Sequence, residues 1–301
     1  MAVIVAAMGW SWRETAVDPL TGAVTADPRD RGPSQSELAA LEHALRLAER
    51  WNARVVAATV GLGDADAMLR DALAAGAAEA LRVAPAGGHA GPPGGTAGPQ
   101  PGDLVGGGQY FATALAAAVY QRYGVPDLVL CGDHSADRGT GSFPAFLAAA
   151  LDAAQVLGVV RMEPEGDGVL RVHRRLDSGR REVLRVQVPA VVSVEAAGVR
   201  LRRAGLPAML ASGQATIPVV RAPGTTAARR IRILGTHPYR PRPRELAGPS
   251  GTALHRTLDL TGALVERTLP TVLGPMSPDQ AAGELLGYLR RHDYLSAGDT
   301  A

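Results

Sequence analysis

The chain has 301 residues, a formal net charge of +2 and 46% apolar residues, enough for a sizeable core in one or two domains. Every basic side chain apart from histidine is arginine, and no arginine-rich run is interleaved with aromatic residues, which argues against nucleic-acid binding. The single cysteine, Cys131, excludes an intrachain disulfide framework, and the sequence shows neither a signal peptide nor a membrane-spanning stretch, so we expect a cytoplasmic protein.

Predicted strands and helices alternate along the first half of the chain. Apolar runs predict strands at residues 3–7, 54–60, 80–83 and 127–131, and helical spacing predicts helices at 34–51, 64–75, 109–122 and 142–152. Ser34 or Ser36 can cap the first helix and Asp64 the second, while residues 11–31 read as a loop with room for a short hairpin. The repetition predicts an α/β fold, a Rossmann-like open and mostly parallel sheet with helices on both faces.

The second half has a different pattern. Residues 84–108 are rich in Gly, Pro and Ala, and we expect a flexible surface insertion there because they cannot bury enough apolar area to order themselves. Short β-rich runs between 156 and 196 predict added antiparallel strands, including a hairpin with one solvated face. We therefore expect an α/β domain at 1–222 and a C-terminal extension at 223–301, with a strand at 231–235, an extended Pro/Arg-rich segment and a terminal helix, packed on another subunit.

Several common catalytic signatures are missing from the sequence. It contains no G-x-S-x-G elbow, no Walker pattern and no G-x-G-x-x-G after the first strand, and its seven histidines are scattered. Cys131 closes a buried strand, where packing is the expected role. These absences argue against a hydrolase triad, a metal centre and an ordinary NAD fingerprint.

The loop after the fourth predicted strand is the best candidate binding segment. Ligands of open α/β sheets bind outside the carboxyl ends of the strands, and a following helix offers free N–H groups to a phosphate. The loop supplies glycines for close backbone approach and hydroxyls for hydrogen bonds: Gly132, Gly139 and Gly141, with Ser135, Thr140 and Ser142. Asp137 suits pinning the loop or reaching a ribose hydroxyl. An ordinary connection with a capped helix explains the same pattern, so the spacing alone leaves both interpretations open.

Separate segments of the sequence occur in the order found in one known family. They are LTGAVTADP, SELAALEHALRLAE, ALAAGAAEALRV, VPDLVLCGDHSAD and VHRRLDSGRREVLRVQVPAVVSV. Over most of residues 1–222, the chain resembles the beta subunit of electron-transfer flavoproteins. The pattern Gly-Asp-x-Ser-x-Asp with a following Pro resembles a divergent branch of that family associated with mycofactocin.

The resemblance implies a heterodimer with an alpha subunit that carries electrons from a flavin dehydrogenase to a downstream acceptor. In that family, FAD lies mainly on the alpha subunit, and the beta subunit holds AMP or, in bifurcating members, a second FAD. By position, the nucleotide contacts match Ala6, Ser34, Ser36, Val60 and residues 133–144. Gly139, Ser142 and Pro144 depart from the family's loop pattern, and Pro144 cannot donate a backbone N–H.

The resemblance also implies a docking segment and an aromatic neighbour for the flavin. Leu206 and Pro207 match the position of the leucine that anchors the dehydrogenase, and the alternative is a core leucine in a loop. Trp10 and Trp12 lie near the position of an aromatic residue that approaches the flavin, although either could pack internally. The alternative function is a non-redox nucleotide-binding module of the same fold. A nucleotide-dependent ligase or hydrolase is a third candidate, and the missing pyrophosphate loop after the first strand argues against it.

Overall fold

The computed structural model describes residues 2–12, 16–18, 20, 24–25, 28–85, 107–134, 140–222, 248, 250–263, 272–292 and 294. The chain divides into two compact units, residues 1–240 and 241–301. Most of the predicted insertion, the predicted strand at 231–235, the Pro/Arg-rich segment, and Ser135, Asp137 and Gly139 lie outside the described residues.

The first half of the larger unit alternates strands with helices. In chain order its elements are β1 (Val3–Ala7), β2 (Ser11–Trp12), β3 (Ala16–Val17), β4 (Val24–Thr25), β5 (Arg31–Gly32), α1 (Gln35–Trp51), β6 (Arg54–Val60), α2 (Asp66–Ala75), β7 (Glu79–Ala84), α3 (Gly108–Tyr123), β8 (Leu128–Gly132) and α4 (Phe143–Leu151). The four principal predicted strands and four predicted helices are all present, and their ends differ from the predictions by at most two residues.

The second half of this unit adds mostly strands. In chain order its elements are the strands β9 (Ala154–Gly166), β10 (Val169–Arg175), β11 (Arg181–Gln187) and β12 (Ala190–Val194), the helix α5 (Leu206–Gly213) and the strand β13 (Val219–Arg221). The sequence predicted neither α5 nor β13. Both are short, and β13 gains its backbone partners only by pairing with the distant β7.

One nine-stranded sheet organises the described part of the unit, in the order β11-β10-β9-β12-β8-β1-β6-β7-β13. All neighbours from β9 through β12, β8, β1, β6 and β7 to β13 are parallel. The β9-β10-β11 end is antiparallel, as the alternating sequence predicted, with Leu170, Val172 and Val186 buried and Arg171 and Arg185 exposed. The predicted α/β class is therefore confirmed.

Helices cover both faces of the sheet. Along β1, Ile4 and Ala6 join the apolar cluster that contains α1 and α2, whereas Val3, Val5 and Ala7 join the cluster that contains α3 and α4. Successive strand residues point to opposite faces, so a strand covered on both sides reads as one continuous apolar run. This pattern explains why VIVAA is buried at every position.

Capping residues explain where two of the helices begin. Ser34 is the N-cap of α1, and its side chain and that of Glu37 form a capping box, as the sequence suggested for Ser34. The prediction that Asp64 caps the second helix is wrong. Asp64 lies inside a single 3-10 turn, Gly63–Ala65, that precedes α2, and its carboxylate instead accepts hydrogen bonds from Trp10 and Arg31.

The smaller unit contains two described helices, α6 (Ala253–Leu260) and α7 (Pro278–Arg291). Hydroxyl caps begin both, Thr252 for α6 and Ser277 for α7. Helix α7 was predicted and α6 was not. Neither helix buries a side chain. Among the described residues of both units, no helix has the length and apolar character needed to cross a bilayer.

Candidate functional site

A half-open cleft with a volume of about 150 Å³ lies at the carboxyl ends of β1, β6 and β8. The beginnings of α1, α3 and α4 complete its walls. Its lining residues are Ala7, Met8, Gly9, Trp10, Ser11, Glu37, Val60, Gly108, Phe111, Leu115, Cys131, Gly132, Asp133, His134, Thr140, Gly141, Ser142, Phe143 and Pro144. Carboxyl ends of parallel strands are where ligands of open α/β sheets bind, so this cleft is the candidate site.

The structure brings together only part of the residue set that the sequence nominated. The predicted residues that line the cleft are Trp10, Val60, Gly132, Thr140, Gly141 and Ser142. Ala6 is fully buried and faces the α1 side of the sheet, so its neighbour Ala7 lines the cleft instead. Ser34 and Ser36 sit at the start of α1 with their hydroxyls 3.0 Å apart, but the lining residue there is Glu37.

Glycines allow the strand ends to approach α1 closely. A Cβ at Gly132 would lie 2.7 Å from Ser36 Oγ and 3.1 Å from the Glu37 backbone nitrogen. A Cβ at Gly9 would lie 2.4 Å from Glu37 Oε1. The close approach of α1 to the cleft therefore depends on glycines at the ends of two neighbouring strands, Gly9 after β1 and Gly132 in β8.

Glu37 joins the loop after β1 to the start of α1, and the sequence analysis did not select it. Its Oε1 accepts from the Gly9 backbone N–H at 2.6 Å and its Oε2 accepts from the Ser34 backbone N–H at 2.6 Å. The signal was present in the sequence as the Ser-x-x-Glu capping box that opens this helix. The missing information was that the same carboxylate also reaches Gly9, 28 residues away.

Two helix N-termini meet in the cleft. A Cβ at Gly108 would lie 2.5 Å from Ser142 Oγ and 3.2 Å from the Phe143 backbone nitrogen, so the first turns of α3 and α4 are in contact. Neither helix has a side-chain cap bond at its N-cap, Gly107 or Ser142. Gly108 is the last residue of the predicted insertion, and the structure places it beside the loop after β8.

Some polar atoms at the cleft have no partner within the described residues. Ser11 is 5% exposed and its Oγ makes no hydrogen bond. Asp133 Oδ1 lies 2.9 Å from Nδ1 of His134 but makes no well-aligned hydrogen bond. Buried polar atoms are usually paired, so these two atoms are available to partners that lie outside the described residues.

The electrostatic character of the described lining is acidic. It includes the carboxylates of Glu37 and Asp133, and none of the described lining residues is Arg or Lys. No group of His, Cys, Asp and Glu in the described parts of the chain has the arrangement of a metal site. An anion would therefore depend on backbone N–H groups and helix dipoles rather than on a cationic side chain in the described wall.

A cluster around Arg31 supports the Trp10 side of the cleft. The Arg31 guanidinium pairs with Asp64, donates to the Trp10 carbonyl at 3.2 Å and stacks 5.1 Å from the ring centroid of Trp12. Trp10 Nε1 donates to Asp64 at 3.0 Å. Trp12 is 8% exposed and does not line the cleft, so only Trp10 of the two tryptophans does.

Cys131 lies at the end of β8 beneath the cleft. Its thiol is buried, and burial raises the pKa of the Cys131 thiol, with the carboxylates of Glu37 and Asp133 acting in the same direction. A thiol kept protonated is a poor nucleophile. This environment agrees with a packing role.

Leu206 and Pro207 form the first turn of α5 and not part of a loop. Three apolar side chains of this helix are exposed, with 67% of Leu206, 53% of Met209 and 66% of Leu210 accessible. The alternative of a core leucine at position 206 is therefore wrong. The helix was not predicted because its eight residues give too short a helical period to stand out in the sequence.

Comparisons with known proteins agree with this architecture. Residues 108–224 match the family model described as an electron transfer flavoprotein domain. The predicted relationship to the electron transfer flavoprotein beta family is confirmed. The matched electron transfer flavoprotein domain runs from α3 to just beyond β13 and includes the loop after β8.

Two curated relatives are named electron transfer flavoprotein subunit beta. The protein from Thermoanaerobacterium thermosaccharolyticum is 28% identical over 180 residues, which are 60% of this chain and 62% of the relative. The protein from Chromohalobacter salexigens is 29% identical over 173 residues, which are 56% of this chain and 62% of the relative. The chain therefore spans less than two thirds of the curated relatives it matches.

Proposed function

We propose that this chain is the beta subunit of a heterodimeric electron-transfer flavoprotein. It would bind AMP or a second FAD in the cleft, help to enclose the FAD of an alpha subunit, and carry electrons from a flavin dehydrogenase to a downstream acceptor. The observation that carries the proposal is the cleft itself. Glycine-lined strand ends meet the beginnings of α3 and α4, neither of which receives a described hydrogen bond from the side chain of its own N-cap residue, and residues 108–224 match an electron transfer flavoprotein domain.

The meeting of α3 and α4 supports a phosphate at that end of the cleft. First-turn N–H groups have no partner within their own helix, and the positive dipole end favours an anion. Pro144 supplies no N–H, so α4 offers fewer donors than an ordinary first turn, and the first turn of α3 lies in contact with it. The carboxylates of Glu37 and Asp133 disfavour a phosphate beside them and suit donor groups instead.

The acidic part of the cleft suits the hydrogen-bond donors at the nucleoside end of the proposed ligand. Ribose hydroxyls and the exocyclic amine of adenine are donors, and Asp133 Oδ1 has no well-aligned donor. Ser11 Oγ can both donate and accept. Trp10 is partly exposed at the rim and is the tryptophan available to stack on a flavin ring. The ring of Trp12 already stacks against the Arg31 guanidinium.

The exposed face of α5 supports docking of the dehydrogenase. Leu206, Met209 and Leu210 form an apolar surface on one short helix, and aliphatic anchors of this kind fill a pocket on a partner. The two helices of the smaller unit likewise bury no side chain of their own, although Leu254, Leu260, Leu285 and Leu286 are apolar. These faces favour an obligate partner over the alternative of a lone nucleotide-binding module.

A charge placed at the α4 end of the cleft tests the phosphate assignment. Thr140→Asp adds a carboxylate at an exposed position just before α4. The new charge would stabilise the helix N-terminus in the free protein but repel a bound phosphate. After removal of any co-purified nucleotide, we expect AMP to bind about tenfold more weakly by calorimetry, since one like charge nearby costs on the order of 1 kcal/mol.

The matched control is Thr140→Asn, which has nearly the same shape as the Asp variant and no charge. We expect it to bind AMP within about twofold of the parent chain, a difference of less than about 0.5 kcal/mol. Equal AMP affinity for the Asp and Asn variants would show that no phosphate lies at the beginning of α4.

A further inference from the structure

Helix α5 is held with almost no core of its own. Ser212 is its only buried residue, and its three large apolar side chains face solvent. A helix normally takes its position from burial of an apolar face, and a helix of eight residues is not stable by itself. Apart from the packing of α5 against α2, the segments that flank α5 must therefore fix where it lies.

The C-terminal flank of α5 is held by a side-chain bond, by a buried residue and by the pairing of β13 with β7. Arg70 of α2 donates to the Ala215 carbonyl at 3.3 Å, and Ile217 is buried in the core. On the N-terminal side, Val199 and Leu201 are partly buried against the same core cluster. Between Leu201 and Leu206, the strongest described attachment is Arg202.

Arg202 reaches two carboxylates of α1 at once. Its Nε donates to Glu42 Oε2 at 3.0 Å, its Nη2 donates to Glu42 Oε1 at 3.2 Å, and its Nη1 donates to Glu49 Oε1. The backbone N–H of Arg202 also donates to Glu42 Oε2, at 3.0 Å. Arginine alone can make this paired contact, because its planar fork matches a carboxylate and keeps a third nitrogen for Glu49.

The carboxylate of Glu42 requires this partner. Its side chain is 4% exposed, and Arg46 of the same helix adds one further bond at 2.7 Å. Burial by itself would raise the pKa of Glu42, but the hydrogen bonds from Arg202 and Arg46 outweigh burial and lower the pKa. The carboxylate is thus a buried charge held in place by cations from two separate segments of the chain.

The neighbouring arginines behave differently. Arg200 and Arg203 are exposed, and neither makes a hydrogen bond or ion pair with the described residues. Of these three arginines, only Arg202 therefore makes described contacts, and it lies three residues before Gly205, the N-cap of α5.

We propose that Arg202 is a positioning residue that locks the start of α5 onto α1 and so orients the exposed face of Leu206, Met209 and Leu210 for its partner. This inference rests on the proposed function for the identity of the partner, a flavin dehydrogenase. The lock itself depends only on Arg202, Glu42 and Glu49. It assigns Arg202 a role other than direct contact with acidic groups of the partner.

The first test measures α5 in the full chain by hydrogen exchange. Arg202→Gln removes the charged fork, and we expect amide exchange across residues 205–213 to rise about tenfold while the strands β1, β6 and β8 are unchanged. Arg202→Lys keeps the charge without the fork and should restore part of the protection. Arg203→Gln, at an exposed position without partners, should match the parent chain. Equal exchange in the two Gln variants, or faster exchange throughout the sheet, would overturn the lock.

The second test separates the lock from the docking assignment. With the dehydrogenase as electron donor, Arg202→Gln should raise the apparent KM for this protein about tenfold and leave kcat and flavin content unchanged, and Leu206→Ala should do the same. A raised KM for Leu206→Ala but not for Arg202→Gln would overturn the positioning role and leave the proposed function intact. Unchanged KM in both variants would instead overturn docking through α5.

Discussion

Single glycines decide how closely the loops of the cleft can approach α1. Gly132→Ala would place a Cβ 3.1 Å from the Glu37 backbone nitrogen and 2.7 Å from Ser36 Oγ. Overpacking of this kind costs about 1–3 kcal/mol, and we expect that loss in the free energy of unfolding measured with denaturant. Gly63→Ala is the matched control, because nothing lies within 4 Å of its added Cβ, and it should shift stability by less than about 0.5 kcal/mol. Similar losses in both variants would contradict the close approach at Gly132.

His43 gives the fold a specific acid sensitivity. Burial, with a smaller contribution from the Arg46 charge and partly offset by Glu42, lowers the pKa of His43 from 6.5 to about 4. The unfolded chain therefore binds this proton first. The stability contribution is complete above pH 6.5 and is lost as the pH falls toward 4, up to about 3 kcal/mol.

Unfolding measured between pH 7 and pH 4.5 checks this prediction. We expect His43→Gln to lose less stability than the parent chain over that interval, because the glutamine cannot take up a proton. His255→Gln, which removes an exposed imidazole from α6, is the control and should follow the parent profile. Parallel profiles for the parent and His43→Gln would mean that another group causes the acid sensitivity.

The sequence indicated the loop after β8 but not the polar groups opposite it. Gly132, Thr140 and Ser142 could be selected because turn residues follow a short apolar run. Glu37 and Ser11 could not, since their positions in the cleft depend on how β1 and α1 come together in three dimensions. Ala6 was expected in the cleft from the positional match to the family, but its neighbour Ala7 lines the cleft, and an apolar run covered on both faces does not reveal which residue points to which side.

At the scale of elements, the start of α1 has two possible roles that a single substitution separates. Ser34 accepts from the Glu37 backbone N–H at 3.3 Å as the helix cap, and it was also predicted as a nucleotide contact. Ser34→Ala should cost about 1 kcal/mol of unfolding free energy through loss of the cap. Since Ser34 does not line the cleft, we expect AMP affinity by calorimetry to change less than about twofold, within roughly 0.5 kcal/mol.

Ser34→Asn is the control for this pair of measurements. Asparagine caps helices as well as serine does and adds no charge that would repel a phosphate, so stability should return to that of the parent chain. A large loss of AMP affinity in Ser34→Ala, with stability restored but affinity still lost in Ser34→Asn, would show that the hydroxyl contacts the ligand directly.

Long elements with a clear period were predicted well and short ones were not. Helices α1 and α7 carry both an apolar period and a capping box, which are local signals. Strand β13 has three residues and helix α5 has eight, and both take their positions from distant partners, β7 for the strand and the Arg202 contacts for the helix. Local sequence contains no information about such partners.

At the scale of the whole molecule, the order of strands and helices sufficed to predict the class of fold. Alternating βαβ units give a parallel sheet, and the run of strands after α4 adds the antiparallel end at β9, β10 and β11. The sequence could not give the strand order or show that Gly108 lines the cleft. The extended C-terminal region was predicted to pack on a partner subunit, and that assignment stays a prediction.

The central claim is that the cleft holds an adenine nucleotide within an electron-transfer flavoprotein heterodimer. The most direct measurement is co-expression of the full chain with an alpha-type subunit, followed by size exclusion and by release and quantification of the bound small molecules. The account predicts a coloured heterodimer with one FAD for the alpha subunit and one further molecule, AMP or a second FAD, for the cleft. A colourless monomer that releases no nucleotide and binds neither AMP nor FAD would contradict it.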